Sequence, residues 1–348
     1  MKILPNPFRG TGLETSELTD VPFPSTAGDR PASLLLRCPR AGKTPLIQSP
    51  ELAEICGVGS VLIKDERDRM GLGSFKALGA AYVIAHDAES GKARGATYVT
   101  ASAGNHGLSV AAGAAAFGAN AVVFVSIHVP EPFADRLRQL GAEVVRSGDT
   151  YEASMAAAAA HSENEGAILL SDSSWPGYVD RPLVLMEGYL VLMDEVFGQI
   201  EKAPSHIFLQ AGVGGLAGAA AAAARAHWGD APVVIVVEPE AAPAIAASIS
   251  AGKPVFAPGP VSSMGRLDCK EPSLIALKGL ARDCDFCATI TEDEGAAGSA
   301  KCENLGMPTT PSGAAGISAV LAASGLQGEI GLDSGSRVLT ILSEGPEA

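Results

Sequence analysis

Thr97-Tyr98-Val99-Thr100-Ala101-Ser102-Ala103-Gly104-Asn105-His106-Gly107 reads as a strand that runs into a glycine turn. An alanine-rich stretch, His106–Ala116, follows the turn, and an apolar run, Ala121–Ser126, comes after it. Strand, helix and strand in that spacing make one βαβ unit. The pattern continues on both sides. Further strands are expected at Val61–Lys64, Glu143–Arg146, Ala167–Leu170, His206–Gln210, Val233–Glu238, Ala288–Ile290 and Val338–Leu342. Helices are expected at Ser74–His86, Pro132–Leu140, Tyr151–Ser162, Val184–Val196, Leu216–Ala226, Glu292–Leu305 and Gly313–Ala323. Such alternation implies an α/β chain with a parallel sheet. The weakly patterned stretch Ala241–Asp268 reads as an excursion over a site or as a plain surface loop.

The 348 residues are 47% hydrophobic and 18% charged, which excludes a disordered chain and allows a full core without disulfide or metal staples. Twenty-five basic residues against 39 acidic ones give a net charge of −14, which argues against a nucleic-acid or anionic-membrane partner. Six cysteines are too sparse for a secreted disulfide framework. Met1–Gly10 lacks the apolar stretch of a signal peptide, and no apolar run is long enough to span a bilayer. A cytoplasmic protein is therefore expected. Cys284 and Cys287 form a C-x-x-C, but no matching second pair accompanies it, so ordinary thiols and no metal are expected.

Glycine, 40 of 348 residues, collects where strands turn into helices. In Gly73-Ser74-Phe75-Lys76, a lysine enters the first turn of a helix, where the dipole disfavours an ammonium and favours the neutral amine of a nucleophile. Ser102 to Gly107 offers a polar nest at a helix N-terminus, with Asn105 either a cap or a ligand contact and His106 a packing residue or a base. Gly212-Val213-Gly214-Gly215-Leu216 opens several backbone amides toward an anion. Gly212, Gly214 and Ala217 also fit a dinucleotide fingerprint, with Glu238 as its acid. Spacing alone leaves both readings open, so an NAD-dependent dehydrogenase stays in view.

Together, in this order, the three loops resemble the tryptophan-synthase-β family of pyridoxal-phosphate enzymes, fold type II. The stretches Asp172–Tyr178, Met186–Tyr189, Met264–Ser273 and Leu342–Gly345 resemble its diaminopropionate ammonia-lyase branch. The resemblance implies two open twisted, mostly parallel sheets with helices on both faces. It implies a large unit of residues 1–90 and 181–348, and a smaller mobile unit of residues 91–180. Lys76 would carry pyridoxal 5′-phosphate as a Schiff base, Asn105 would meet the ring's 3-oxygen, Gly212 to Leu216 the phosphate, and Ser343 the ring nitrogen. Ser102, Gly104 and His106 would face the substrate, and Asp172 the group leaving from its β-carbon. The implied activity is elimination of ammonia from a small L-amino acid by a homodimer. Serine/threonine-type dehydration or β-replacement are the alternatives, and a non-catalytic amino-acid sensor a remoter one. One departure stands out: members of the branch that act on both enantiomers carry an aspartate before Gly-Asn-His-Gly, and this chain has Ala103. Proton chemistry at Cα is then expected from one face, through Lys76. The chain is also shorter after Ser343 than that branch, so a trimmed substrate pocket is expected.

Overall fold

The computed structural model describes residues 1–346. Residues 347 and 348, the end of the larger unit expected from sequence, lie outside the described residues. The first three strands are β1 (Lys2–Pro5), β2 (Leu46–Gln48) and β3 (Ser60–Asp65). The next four, β4 (Thr97–Ala101), β5 (Asn120–Val125), β6 (Glu143–Arg146) and β7 (Ile168–Leu169), form a separate parallel sheet in the order β6-β5-β4-β7. The chain then returns to the first sheet with β8 (His206–Gln210), β9 (Val233–Pro239), β10 (Phe286–Ile290) and β11 (Arg337–Leu342). That seven-stranded sheet runs β1-β10-β9-β8-β11-β3-β2, with antiparallel strands only at its two edges. The central strands β8 and β9 are buried almost throughout, as continuous apolar runs require when helices cover both faces.

The sequence reading overlooks β1 and β2, which are short edge strands. It also overlooks the helices Asp29–Leu35, Pro50–Cys56, Leu274–Asp283 and Gln327–Ile330. The expected excursion at 241–268 contains a further helix, Ala244–Ala251, before it becomes irregular. The helix expected from Val184 begins earlier, at Asp180, with Pro182 in its first turn, where a missing N–H costs nothing.

The loops that carry the motifs follow the carboxyl ends of parallel strands: Ser74–Lys76 after β3, Ser102–Gly107 after β4, Asp172 after β7, Gly212–Leu216 after β8, and Ser343 after β11. In open α/β sheets this edge is where ligands bind.

Glu238 takes no part in it. Its side chain is closed to solvent, and its carboxylate accepts from the amides of Ile245 at 2.7 Å and Ala246 at 2.8 Å. An acid spent on a helix N-terminus cannot hold a ribose hydroxyl, which removes the dinucleotide reading of the glycine loop. Burial pushes the Glu238 pKa up to about 8 against the pull of those two amides. The unfolded chain loses this proton near its ordinary value of about 4.3, so ionisation works against folding as pH rises from there to about 8. Glu238→Gln is therefore expected to flatten the decline in melting temperature between about pH 5 and 8. Equal slopes in the two proteins would show the buried carboxylate to be ionised throughout.

Candidate active site

A tight approach leads to Lys76. Met70, Gly71 and Gly73 all take positive φ, and Met70 is the one non-glycine residue to do so among the described residues. Beneath this turn lies a buried ionic cluster. Arg69 pairs with Glu66 at 2.7 Å and Glu195 at 2.8 Å, and Lys64 pairs with Glu195 at 2.6 Å. The cluster ties the lysine loop to the helix Asp180–Gln199, and each charge has an opposite partner, as burial demands. Phe75 donates its amide to the Ser343 carbonyl oxygen at 3.1 Å, which joins the loops after β3 and β11.

Lys76 Nζ forms an ion pair with Asp172. Burial favours a neutral amine, but the Asp172 carboxylate outweighs it and holds the lysine above its usual range. Burial pushes the Asp172 carboxyl upward, but the Lys76 ammonium outweighs it and keeps that carboxyl below its usual range. The neutral amine expected from the helix dipole is thus corrected. A dipole at a helix end is worth about 0.3–1 kcal/mol, and a contacting carboxylate in a buried setting exceeds that.

In the loop after β4, Ser102 caps the helix. Its Oγ accepts from the amides of Gly104 at 3.2 Å and Gly107 at 3.0 Å. Asn105 is therefore free of capping, and its Nδ2 donates to Glu344 Oε2 at 2.5 Å. Glu344 also binds the Thr310 hydroxyl, so the loop's amide group is anchored across to the other sheet. Arg266 reaches over from the irregular stretch and donates to the Ala103 carbonyl oxygen at 3.1 Å, against the bare Cα of Gly104. The His106 ring bonds the Leu170 carbonyl oxygen through Nε2 at 2.8 Å, and burial lowers its pKa, so Nδ1 is a lone-pair acceptor. That Nδ1 is buried without a partner among the described residues.

Gly212–Leu216 form a cradle. The amides of Gly212, Gly214, Gly215 and Leu216 find no acceptor among the described residues, that of Val213 turns toward the Cys269 sulfur, and the loop opens the helix Gly215–Trp228. Only glycine fits two of the positions: a Cβ on Gly212 would stand 3.0 Å from the Arg266 carbonyl oxygen, and Gly214 sits at φ +96°. Cys269 lies against Gly212, its thiol pushed up to about 12 by burial and then by Asp172. Gly215 faces the Tyr189 ring and the Asp172 backbone, so the cradle opens beside the Lys76–Asp172 pair. Ser343 is buried at the end of β11, its hydroxyl without a hydrogen bond among the described residues. Amides unspent at a helix N-terminus suit a phosphate, and a lysine, an amide and a hydroxyl around the same cleft suit a substituted pyridine aldehyde.

Sequence reasoning does not single out Glu344, Thr310 or Arg266. Glu344 sits inside a motif quoted for its serine, and its link to Asn105 spans 239 positions.

The family model for pyridoxal-phosphate dependent enzymes matches residues 38–344. A diaminopropionate ammonia-lyase of Salmonella typhimurium is 29% identical over 97% of this chain and 92% of its own. The crystal structure of Escherichia coli diaminopropionate ammonia lyase in complex with D-serine superposes with a TM-score of 0.90 at 27% identity, covering 99% of this chain and 93% of that one. The same enzyme's complex with an aminoacrylate–PLP azomethine reaction intermediate superposes with a TM-score of 0.87 at 28% identity over the same shares.

Proposed function

The chain belongs to the family of pyridoxal-phosphate dependent enzymes, and on that premise we propose that it is an ammonia-lyase acting on a small L-amino acid of the 2,3-diaminopropionate type. The products are a pyruvate-type 2-oxo acid and ammonia. The observation that carries this reading is the Lys76–Asp172 pair set beside the unspent amides of the glycine loop. One residue can serve Cα and the other a cationic leaving group.

When bound, pyridoxal phosphate supplies an electron-withdrawing ring that makes the substrate's α-hydrogen removable. Lys76 is assigned as the residue that links to it and then takes the proton from Cα. Gly212, Val213, Gly214, Gly215 and Leu216 hold the phosphate through their amides, and Asn105 donates to the ring oxygen. Glu344 fixes the orientation of that amide. Ser343 meets the ring nitrogen with a hydroxyl, which does not hold a proton there and so favours elimination over transamination. Ser102, Gly104 and His106 line the substrate side. The Gly104 amide is spent on Ser102, whose hydroxyl donates in turn to the Gly104 carbonyl oxygen at 3.4 Å, a long bond that it would exchange for one to a substrate carboxylate. Asp172 accepts from the β-amino group and returns a proton to it as it leaves.

The division into a unit of residues 1–90 and 181–348 and a mobile unit of residues 91–180 belongs to the same proposal, supported by the separate four-stranded sheet. Arg266 and Glu344 would release Ala103 and Asn105 when the units part. A cytoplasmic setting is supported by six free cysteines, whereas a homodimer rests on the family resemblance.

Cofactor-loaded protein given L-2,3-diaminopropionate is expected to release two ammonia for each pyruvate, one from the β-carbon and one when the remaining enamine is hydrolysed, faster than it acts on L-serine or L-threonine. No release from diaminopropionate would refute the reading.

Ala103 makes a second, independent expectation. The carboxylate that approaches this loop, Glu344, is committed to Asn105 and Thr310, so no free acid is assigned to the face opposite Lys76. D-2,3-diaminopropionate should therefore react roughly 10²-fold or more slowly than the L-isomer, the lower range for lacking an acid–base group. Ala103→Asp should recover part of the D-rate. Comparable D and L rates in the unmutated protein would sink the one-face argument.

A further inference from the structure

Tyr189 lies where the helix Asp180–Gln199 crosses the first turn of the helix that starts at Lys76. The crossing is close because both helices present glycine. A Cβ on Gly188 would stand 2.3 Å from the Leu78 carbonyl oxygen, and one on Gly79 would stand 2.7 Å from the Tyr189 ring. The ring slides under that turn, edge-on to Phe75 with centroids 4.9 Å apart, and meets Gly215 of the cradle beyond it. Its hydroxyl is buried beside Asp172 and Lys76, which both act on it electrostatically; the Lys76 amine lies near enough to reach it, yet no group stands at full hydrogen-bond geometry to it among the described residues. Leaving a buried hydroxyl unpaired is costly, and phenylalanine would fill the same space without that cost. The oxygen is then expected to find its partner during turnover.

We propose that Tyr189 is a positioning residue for proton transfer at Cα: its hydroxyl holds the Lys76 amine when Asp172 turns from the lysine to the substrate's β-amino group. The inference rests on the ammonia-lyase reading and deepens it. One carboxylate cannot keep Lys76 as its partner and also hold a substrate ammonium. Once Asp172 is engaged, the lysine needs an acceptor for one N–H, placed so that its lone pair stays aimed at Cα. The Tyr189 oxygen supplies that acceptor. Burial holds the phenol well above its ordinary range, so it stays neutral and does not compete with Lys76 for the proton. In the step itself the α-proton passes to Nζ. The C–H electron pair becomes the second bond between Cα and Cβ, and the C–N pair departs with the β-nitrogen.

Tyr189→Phe keeps the ring and removes one oxygen. In the cofactor-loaded variant, kcat on L-2,3-diaminopropionate should fall roughly ten- to hundredfold, the scale set by a small misplacement of a reacting group, with KM within about threefold. The isotope effect with α-deuterated substrate should rise, because proton removal becomes the slow step. Cofactor content should be unchanged, and the melting temperature should not fall, since the lost hydroxyl had no partner. An unchanged kcat overturns the proposal. So does a rate loss that tracks lost cofactor or a lowered melting temperature, and so does failure to fold; these assign the oxygen to structure. If the unmutated protein is inactive on diaminopropionate, the ammonia-lyase reading fails. If it is active and Tyr189→Phe is equally fast, the positioning role alone falls.

Discussion

Lys76→Ala is expected to remove the covalent link to the cofactor and to lower turnover by roughly 10⁴-fold or more, because one substitution deletes both the tether and the base. The phosphate cradle and Asn105 are untouched, so the variant should still bind pyridoxal phosphate, but as a free aldehyde. Two measurements separate tether from binding. Borohydride treatment of the unmutated protein should fix one cofactor per chain, seen as a mass increment, and should add nothing to the variant. Equilibrium dialysis should find the cofactor still retained by the variant, more weakly. The alanine variant also strands Asp172, whose carboxylate is held below its usual range by Lys76. Its pKa should then rise, since burial alone pushes it upward. A variant that keeps the reducible link would show that another amine carries the cofactor.

Asp172→Asn is expected to cut elimination by roughly 10²–10⁴-fold, the usual range for an acid–base group, while leaving the reducible link to Lys76 in place. The asparagine keeps the shape but neither balances a cationic leaving group nor returns a proton. It also frees Lys76 from its carboxylate, and burial then draws the lysine pKa down. The sign follows from the pair. A raised lysine pKa stabilises the fold at every pH below its unfolded value near 10.4, and a depressed aspartate pKa does so above about 3.9. The cofactor-free Asn variant should therefore lose stability across that whole window and converge with the unmutated protein only beyond its ends. Full turnover by the variant would reduce the motif around Asp172 to a structural one.

The loops were legible in sequence because each is a local event. A strand ends, glycines turn the chain, and alanines start a helix, so Gly73–Lys76, Ser102–Gly107 and Gly212–Leu216 announce themselves within a few residues. What escaped reading is non-local. Lys76 and Asp172 are 96 positions apart, and no local rule says that a carboxylate will reverse the effect of the helix dipole on the amine. Glu344 looked like the neighbour of a cofactor serine until the fold brought it to Asn105. Tyr189 closes the stretch Met186–Tyr189, which sequence marks only by resemblance, and its ring packs in the core. Only its oxygen is exceptional. The edge strands β1 and β2 were missed because three or four residues beside prolines carry no usable period.

The position of β11 has a consequence for how the molecule is made. Residues 337–342 follow every other strand of the larger sheet in chain order, yet they sit between β8 and β3 near its middle. Until they arrive, β3 and β8 each present an unpaired flank of apolar strand. Synthesis at about 5–20 residues per second leaves the β3 flank open for roughly 14–54 s and the β8 flank for roughly 6–25 s. The four-stranded sheet is continuous in sequence and can pair as it emerges, whereas the larger one waits for its keystone. Ser343 is delivered by the same strand. A ribosome that stalls short of residue 337 therefore releases a chain with half its architecture formed, sticky edges exposed, and no pocket for a cofactor to stabilise.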